Sequence, residues 1–414
     1  MSALTDAEPA APPPAAAPAS VTAPETGAVP ELSWPQARET ARRAGRRAPA
    51  PQSLDLADAL GHALAEPLTA LTDLPAFDTS AMDGWAVSGP GPWRPAGRLL
   101  AGQPAGPLAD GAAVEIATGA QLPPGATAVL RREHGRVDGS FLHDRTPGSL
   151  TPGQDVRPRG QECHRGEQLL PAGTPAGPSV LGLAAACGYD RLTVHRRPTV
   201  ELLVLGDELL DSGLPQPGRV RDALGPLLLP WLGSAGAEVL GRRAVRDDFG
   251  LLRDAVRYSP ADVVVTTGGT AAGPVDFLHQ ALEAAGARLL VDGVAIRPGH
   301  PMLLAELPDG RHLVGLPGNP LAAVAGAVTL ALPLLHALGG RAPAARTVTP
   351  AAADLPGHPH DTRLLPVRRT ERGAVPLAFD GPAMLRGLAL AEALAVVPPG
   401  GVRAGTGVEL LPVP

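Results

Sequence analysis

A hydrophobic run, Asp262-Val-Val-Val-Thr-Thr-Gly-Gly-Thr270, ends in two glycines, with Asp276 a short way downstream. Gly268 and Gly269 carry no Cβ, so backbone N–H groups there can approach an anion, and a helix starting near Asp276 adds its positive N-terminal end. The same pair of glycines also serves a plain strand-to-helix corner. Two further loops carry matching chemistry: Gly206-Asp-Glu208 and Leu316-Pro-Gly-Asn-Pro320. Asn319 is the only asparagine in a chain without lysine, so its retention beside Gly318 points to a local task. That task is either a left-handed turn or a side-chain ligand.

The elements that must position these loops follow from the hydrophobic pattern. Glu201–Leu205, Ala237–Leu240, Asp262–Val265 and His312–Gly315 read as buried strands. They alternate with helical stretches at Arg221–Leu232, Phe249–Tyr258 and Phe277–Ala285. This is the pattern of a doubly wound α/β domain with a parallel sheet, and such domains bind ligands at the carboxyl ends of their strands. The named loops all fall there.

Upstream, helices are expected at Trp34–Arg47 and Leu54–Leu64, then short strands such as Gly97–Ala101, Ala113–Ala117 and Ala128–Arg131. A helix over Ser179–Ala186 and a strand ending at His195 lead into the α/β region. Beyond Gly340, the stretches Leu364–Val367, Ala393–Val397 and Val408–Leu411 read as an all-β, barrel-like C-terminal domain. The expected organisation is a disordered Ala/Pro-rich tail (1–30), an elongated mixed α/β domain (31–72 with 150–196), an inserted small β-rich domain (73–149), the α/β domain (197–340) and the C-terminal domain (345–414).

Composition excludes several function classes. All 35 basic side chains are arginine against 41 acidic ones, a formal net charge of −6, which argues against nucleic-acid binding. Any anionic ligand must be held by local arginines. Two cysteines, Cys163 and Cys187, are too few for a disulfide framework and fit a reducing, cytoplasmic setting. The apolar stretch Leu321–Leu338 contains Pro333 and His336 and reads as a core helix, so no membrane association is expected. His358 and His360 in a Pro/Gly loop read as solvated rather than metal-binding.

The most distinctive string lies elsewhere, in Phe77-Asp-Thr-Ser-Ala-Met-Asp-Gly-Trp-Ala86. Together with Thr118-Gly-Ala120, Gly206-Asp-Glu-Leu209, Arg246-Asp-Asp248, Thr267-Gly-Gly269 with Asp276, Arg297-Pro-Gly-His-Pro301 and Leu316-Pro-Gly-Asn-Pro320, it resembles the molybdopterin molybdenumtransferases, the MoeA family, related to the gephyrin E domain. Seven motifs lie in order from about residue 34 to the C-terminus.

The resemblance implies a four-domain homodimer in which the Asp78 segment of one protomer faces the α/β domain of the other. It implies insertion of molybdate into adenylylated molybdopterin with release of AMP, assisted by Mg²⁺, and dealings with a molybdopterin adenylyltransferase and with molybdoenzymes. On this reading Asp78, Asp248 and Asp276 are catalytic, and Glu208, Asp248 and Asp276 hold the metal. Thr118, Gly206, Glu208, Gly268, Gly269, Arg297, His300, Gly318 and Asn319 bind the pterin nucleotide or the oxyanion, with Arg368 a further anion contact.

The chain departs from the family pattern at Ala271, His300, Ala322, Pro382 or Ala383, Glu392 and Ala223, where hydroxyl, lysine or asparagine side chains are expected. A neutral imidazole at 300 supplies less anion affinity than an ammonium group. The phosphate and metal end is thus kept better than the molybdate end, and an altered paralogue that carries molybdopterin or its nucleotide is the alternative reading.

Overall fold

A computed structural model describes residues 30–46, 50–270, 277–343 and 345–414. Its central element is a six-stranded sheet of Thr199–Leu205 (β1), Glu238–Val245 (β2), Val263–Thr267 (β3), Arg288–Asp292 (β4), Leu303–Glu306 (β5) and His312–Leu316 (β6). Their spatial order is β2-β1-β3-β6-β5-β4. The first four strands in that order run parallel, whereas β5 is antiparallel to β6 and β4 is antiparallel to β5. The sheet is therefore mixed rather than all parallel. β4 and β5 escape the sequence pattern because short Leu/Ala-rich runs do not distinguish strand from helix by periodicity.

Every residue of β3 is buried, as a run of β-branched side chains covered on both faces requires. One face packs into the main core with the helix Leu224–Ser234 and the long helical stretch Pro320–Leu338. The other packs against Phe249–Arg257 and Leu278–Ala284. Pro320–Leu338 is long and apolar enough to cross a bilayer, yet 78% of its most apolar window is buried inside the fold. Its middle, Ala327–Ala331, is a π-helical turn, where Thr329 donates back to the Ala325 carbonyl and accepts from the Trp34 indole.

The chain before the central sheet contributes the helix Trp34–Ala44, the helix Pro178–Ala186 and several small sheets. The expected helix at Leu54–Leu64 is not formed. Gln52–Asp55 and Ala63–Leu64 are strands that pair with Arg191–His195, and Gly61 between them turns with φ +81°. Long-range pairing overrides the local helical spacing of Leu56, Leu60 and Leu64.

A four-stranded sheet in the order Arg94–Leu99, Ala112–Ile116, Gly84–Val87, Ala128–Arg131 carries the Asp-Gly-Trp-Ala string as one of its inner strands.

The C-terminal segment forms a seven-stranded sheet with a buried core of its own. It is not purely β, since Arg386–Leu390 is a short helix. Nor is it built from the C-terminal segment alone. Leu32–Ser33 and Val294–Arg297 add two strands, and Val294–Arg297 pairs in parallel with Thr362–Thr370.

Candidate functional site

β1 has β2 on one side and β3 on the other, so the connections leaving β1 and β3 run to opposite sides and open a crevice between the carboxyl ends of these two strands. A cavity of about 130 Å³ occupies that crevice, lined among others by Gly206, Glu208, Arg246, Asp248, Gly268 and Gly269. Five of these six were singled out from the sequence, and the structure brings them together.

The local backbone explains the shape. Gly206, Gly268 and Gly269 have φ of +132°, +88° and +70°, a region that side chains with a Cβ enter only under strain. A Cβ on Gly206 would stand 2.5 Å from a Glu208 carboxylate oxygen, so that carboxylate folds back over the turn. Asp248 caps the helix Phe249–Arg257, its Oδ1 accepting from the Leu251 N–H at 2.8 Å. Asp247 Oδ2 accepts from the Asp207 N–H at 3.3 Å, and Arg246 Nε lies 3.4 Å from Asp207 Oδ1.

Charge decides what such a cavity accepts. Among the described residues that line it, Glu208, Asp247 and Asp248 outnumber Arg246, and there is no imidazole or thiol. A bare phosphate would meet net repulsion, whereas a hard divalent cation with its phosphate oxygens suits an all-oxygen donor set. Glu208 and Asp248 fit Mg²⁺ in this sense. The third expected ligand, Asp276, and the Ala271 position lie outside the described residues.

The Pro-Gly-Asn-Pro loop lies against the glycine turn. The Gly268 N–H donates to the Leu316 carbonyl at 2.8 Å, and a Cβ on Gly318 would stand 3.7 Å from Gly268 Cα. Asn319 is the residue before the helix Pro320–Gly326, with φ −73° and ψ 128°. The left-handed turn reading is thereby removed. Its exposed side chain makes no capping bond, which leaves the ligand reading standing.

Arg297 and His300 are not among the residues lining the cavity and belong to a second locus. The turn containing them packs on the helix start, since a Cβ on Gly299 would stand 3.0 Å from the Ala322 carbonyl oxygen. Pro382 reaches the same place from the C-terminal segment, its carbonyl accepting from the Leu321 N–H at 2.9 Å. His300 turns away, with Nδ1 3.0 Å from the Val294 carbonyl and 3.2 Å from a Glu31 carboxylate oxygen. Arg297 pairs with Asp361, Nε to Oδ2 at 2.8 Å. The segments carrying three of the departures, His300, Ala322 and Pro382, therefore converge on one spot.

A third locus lies in the small β-rich region. Asp78 is exposed and its Oδ1 accepts from the Arg159 N–H at 2.7 Å, which ties down the Arg-rich loop. The carboxylate beside Thr118 is instead Asp83, whose Oδ1 accepts from the Thr118 N–H at 2.7 Å and hydroxyl at 2.9 Å. Asp83 lies within the Phe77–Ala86 string, where the sequence alone gives it no role. Asp78, Asp83 and Thr118 are absent from the cavity lining. In the histidine loop His360 is exposed, whereas His358 is half-buried, its Nδ1 accepting from the Asp361 N–H at 3.0 Å. Among the described residues no cluster of three or more His, Cys, Asp or Glu could hold a metal.

Comparison with known proteins addresses the whole chain. A molybdopterin molybdenumtransferase of Nostoc sp. (strain PCC 7120) is 32% identical over 305 residues, which span 70% of each chain. This chain belongs to the MoeA family. Its residues 32–188 match the MoeA N-terminal region (domain I and II), 201–337 a probable molybdopterin binding domain, and 349–413 the MoeA C-terminal region (domain IV). A Staphylococcus aureus molybdopterin molybdenumtransferase is 29% identical over 380 residues, covering 86% of this chain and 90% of the relative. The crystal structure of a molybdopterin biosynthesis MoeA protein from Pyrococcus horikosii superimposes with a TM-score of 0.69 at 26% identity, covering 92% and 98% of the two chains. The multidomain fold is thus that of MoeA proteins, and the switch-point cavity falls within the segment matched by the molybdopterin-binding model.

Proposed function

We propose that this chain is a molybdopterin molybdenumtransferase, a transferase of molybdenum cofactor biosynthesis that inserts molybdate into adenylylated molybdopterin and releases AMP. The observation that carries the reading is the switch-point cavity, which Glu208 and Asp248 line together with Gly268 and Gly269. Glu208 and Asp248 would hold Mg²⁺, with Asp276 as the third carboxylate. Bound there, the ion would neutralise charge developing on the cleaved phosphoanhydride. The glycine turn would bring backbone N–H groups to the phosphate, and Asn319 would offer its side-chain amide to the nucleotide or pterin.

Arg297 would receive the oxyanion, because a guanidinium binds two oxygens at once and keeps its charge at any working pH. Asp83 with Thr118, rather than Asp78, would be the acidic group that the small β-rich region contributes, from the partner protomer of a homodimer. The domain boundaries inferred from the sequence and a cytoplasmic setting belong to the same proposal, as do dealings with an adenylyltransferase and a molybdoenzyme.

One observation favours a second reading, a carrier that binds the nucleotide without turning it over. His300 is engaged with Val294 and Glu31, and the Pro382 carbonyl occupies the Leu321 N–H, so the oxyanion locus offers fewer donors than hydroxyl and lysine side chains would. Incubation with adenylylated molybdopterin and Mg²⁺, with and without molybdate, separates the two. Molybdate-dependent AMP release supports the transferase; nucleotide retained intact at every molybdate concentration supports the carrier.

A further inference from the structure

The Val294–Arg297 strand carries Arg297 out of the α/β segment and into the C-terminal sheet, where Arg297 stands in register with Arg363. Asp361 immediately precedes the partner strand. Its side chain is only 12% exposed, against 49% for the arginine it meets. A carboxylate so nearly enclosed needs a cationic or hydrogen-bonding partner, and Arg297 supplies it.

The atom through which they meet matters. The shortest contact of the pair is Asp361 Oδ2 to Nε of Arg297 at 2.8 Å, and among the described residues the two terminal nitrogens donate no hydrogen bond. Those nitrogens form a fork that can receive two oxygens of one oxyanion. A free arginine loses rotamer entropy when a ligand fixes it, and a side chain already held at Nε has part of that ordering done beforehand.

The backbone at Asp361 is itself held in place, and His358 Nδ1 lies 3.3 Å from the same Oδ2. The Asp361 N–H donates to His358 Nδ1 at 3.0 Å, and the following strand fixes the backbone. A second pair runs alongside, Arg363 Nη2 to Asp380 Oδ2 at 2.7 Å. Asp380 opens the turn whose Pro382 carbonyl receives the Leu321 N–H. The C-terminal segment thereby grips both the Arg297 turn and the start of the helix after Asn319.

We infer that Asp361 is a positioning residue: it fixes the Arg297 guanidinium through Nε so that the two terminal nitrogens receive the tetrahedral oxyanion. The inference rests on the transferase reading for the identity of that oxyanion. Its physical rival is charge neutralisation, in which Asp361 cancels Arg297 and weakens anion binding. The two give opposite signs on removal of the carboxylate.

The test uses the full chain and its Asp361→Ala, Asp361→Glu, Arg297→Ala and doubly substituted forms. Molybdate binding is measured by equilibrium dialysis, affinity for adenylylated molybdopterin by fluorescence, and AMP release over a molybdate titration. Asp361→Ala should raise both the molybdate dissociation constant and the half-saturating molybdate about tenfold, with turnover at saturation and nucleotide affinity nearly unchanged. Asp361→Glu should recover most of the loss, and the double variant should bind no worse than Arg297→Ala alone.

Unchanged or tighter molybdate binding in Asp361→Ala overturns the inference, as do additive losses in the double variant or an equal loss of nucleotide affinity. If the wild type binds molybdate with the Asp361 dependence but releases no AMP, the positioning role stands and the transferase reading fails. If it turns over and the Asp361 variants match it, the positioning role alone fails. A wild type that binds no molybdate overturns both.

Discussion

Thr118 gives both its backbone N–H and its hydroxyl to one oxygen of Asp83, at 2.7 and 2.9 Å. These two donors, the backbone one first, hold the Asp83 carboxyl below the usual carboxylate range, against a small opposing effect of desolvation. The group is therefore ionised throughout neutral and mildly acidic solution. It has one oxygen outside the Thr118 pair to offer a ligand.

Asp83→Asn should reduce AMP release by about a hundredfold or more while the thermal midpoint stays close to that of the wild type. Asp78→Ala should behave in the opposite way, removing the acceptor for the Arg159 N–H and loosening that loop with turnover largely kept. Equal activity losses for the two variants, measured side by side, would remove the distinction between them.

Asp248 combines a cap with the proposed metal site, and two substitutions separate the roles. Asparagine still caps a helix, so Asp248→Asn should keep stability while raising the Mg²⁺ concentration needed for turnover. Asp248→Ala should also cost about 1 kcal/mol in urea unfolding. Glu208→Gln should shift only the Mg²⁺ requirement. If none of the three alters Mg²⁺ dependence, the ion does not sit between these carboxylates.

Much of this cavity was legible in the sequence, because its loops follow strands whose β-branched residues are buried on both faces. β3 is the clearest case, ending in the two glycines that the positive φ angles demand. What could not be read depends on distant partners. Gln52–Asp55 becomes a strand only because Arg191–His195 lies beside it. Asp83 and Thr118 are 35 residues apart, and nothing local to either announces the other. The separation of Arg297 and His300 from the cavity was equally hidden, since it follows from Val294–Arg297 joining the C-terminal sheet.

His336 gives a pH signature for the core. Burial, reinforced by the nearby Arg341 and Arg38 charges, pushes its pKa down to about 4. In the unfolded chain it titrates near the ordinary value of about 6.5. The folded-state value is depressed, so its contribution to stability is complete above that ordinary value and is lost as pH falls toward 4. Thermal unfolding should show a midpoint several degrees lower at pH 5 than at pH 7, corresponding to roughly 2 kcal/mol from this group. His336→Gln should flatten that part of the profile; an unchanged slope would assign it to other groups.

The Gly268-Gly269 turn should be intolerant of side chains. Gly269→Ala would place a Cβ 3.0 Å from Leu205 Cδ1 at a φ of +70°. It should cost about 1–2 kcal/mol in stability and weaken nucleotide binding. Gly310→Ala, at a positive φ but with open space around it, controls for the backbone effect alone. Matching nucleotide affinities in the two variants would argue that the glycine turn does not touch phosphate.

The most direct test of the transferase reading follows two products in one reaction. Purified full-length protein is mixed with a single equivalent of adenylylated molybdopterin, Mg²⁺ and increasing molybdate; AMP and molybdenum-bound pterin are then quantified together by chromatography and metal analysis. The account predicts one AMP released for each molybdenum bound, both rising with molybdate and both suppressed in Glu208→Gln. Intact nucleotide recovered at saturating molybdate, with no molybdenum in the pterin fraction, would contradict it.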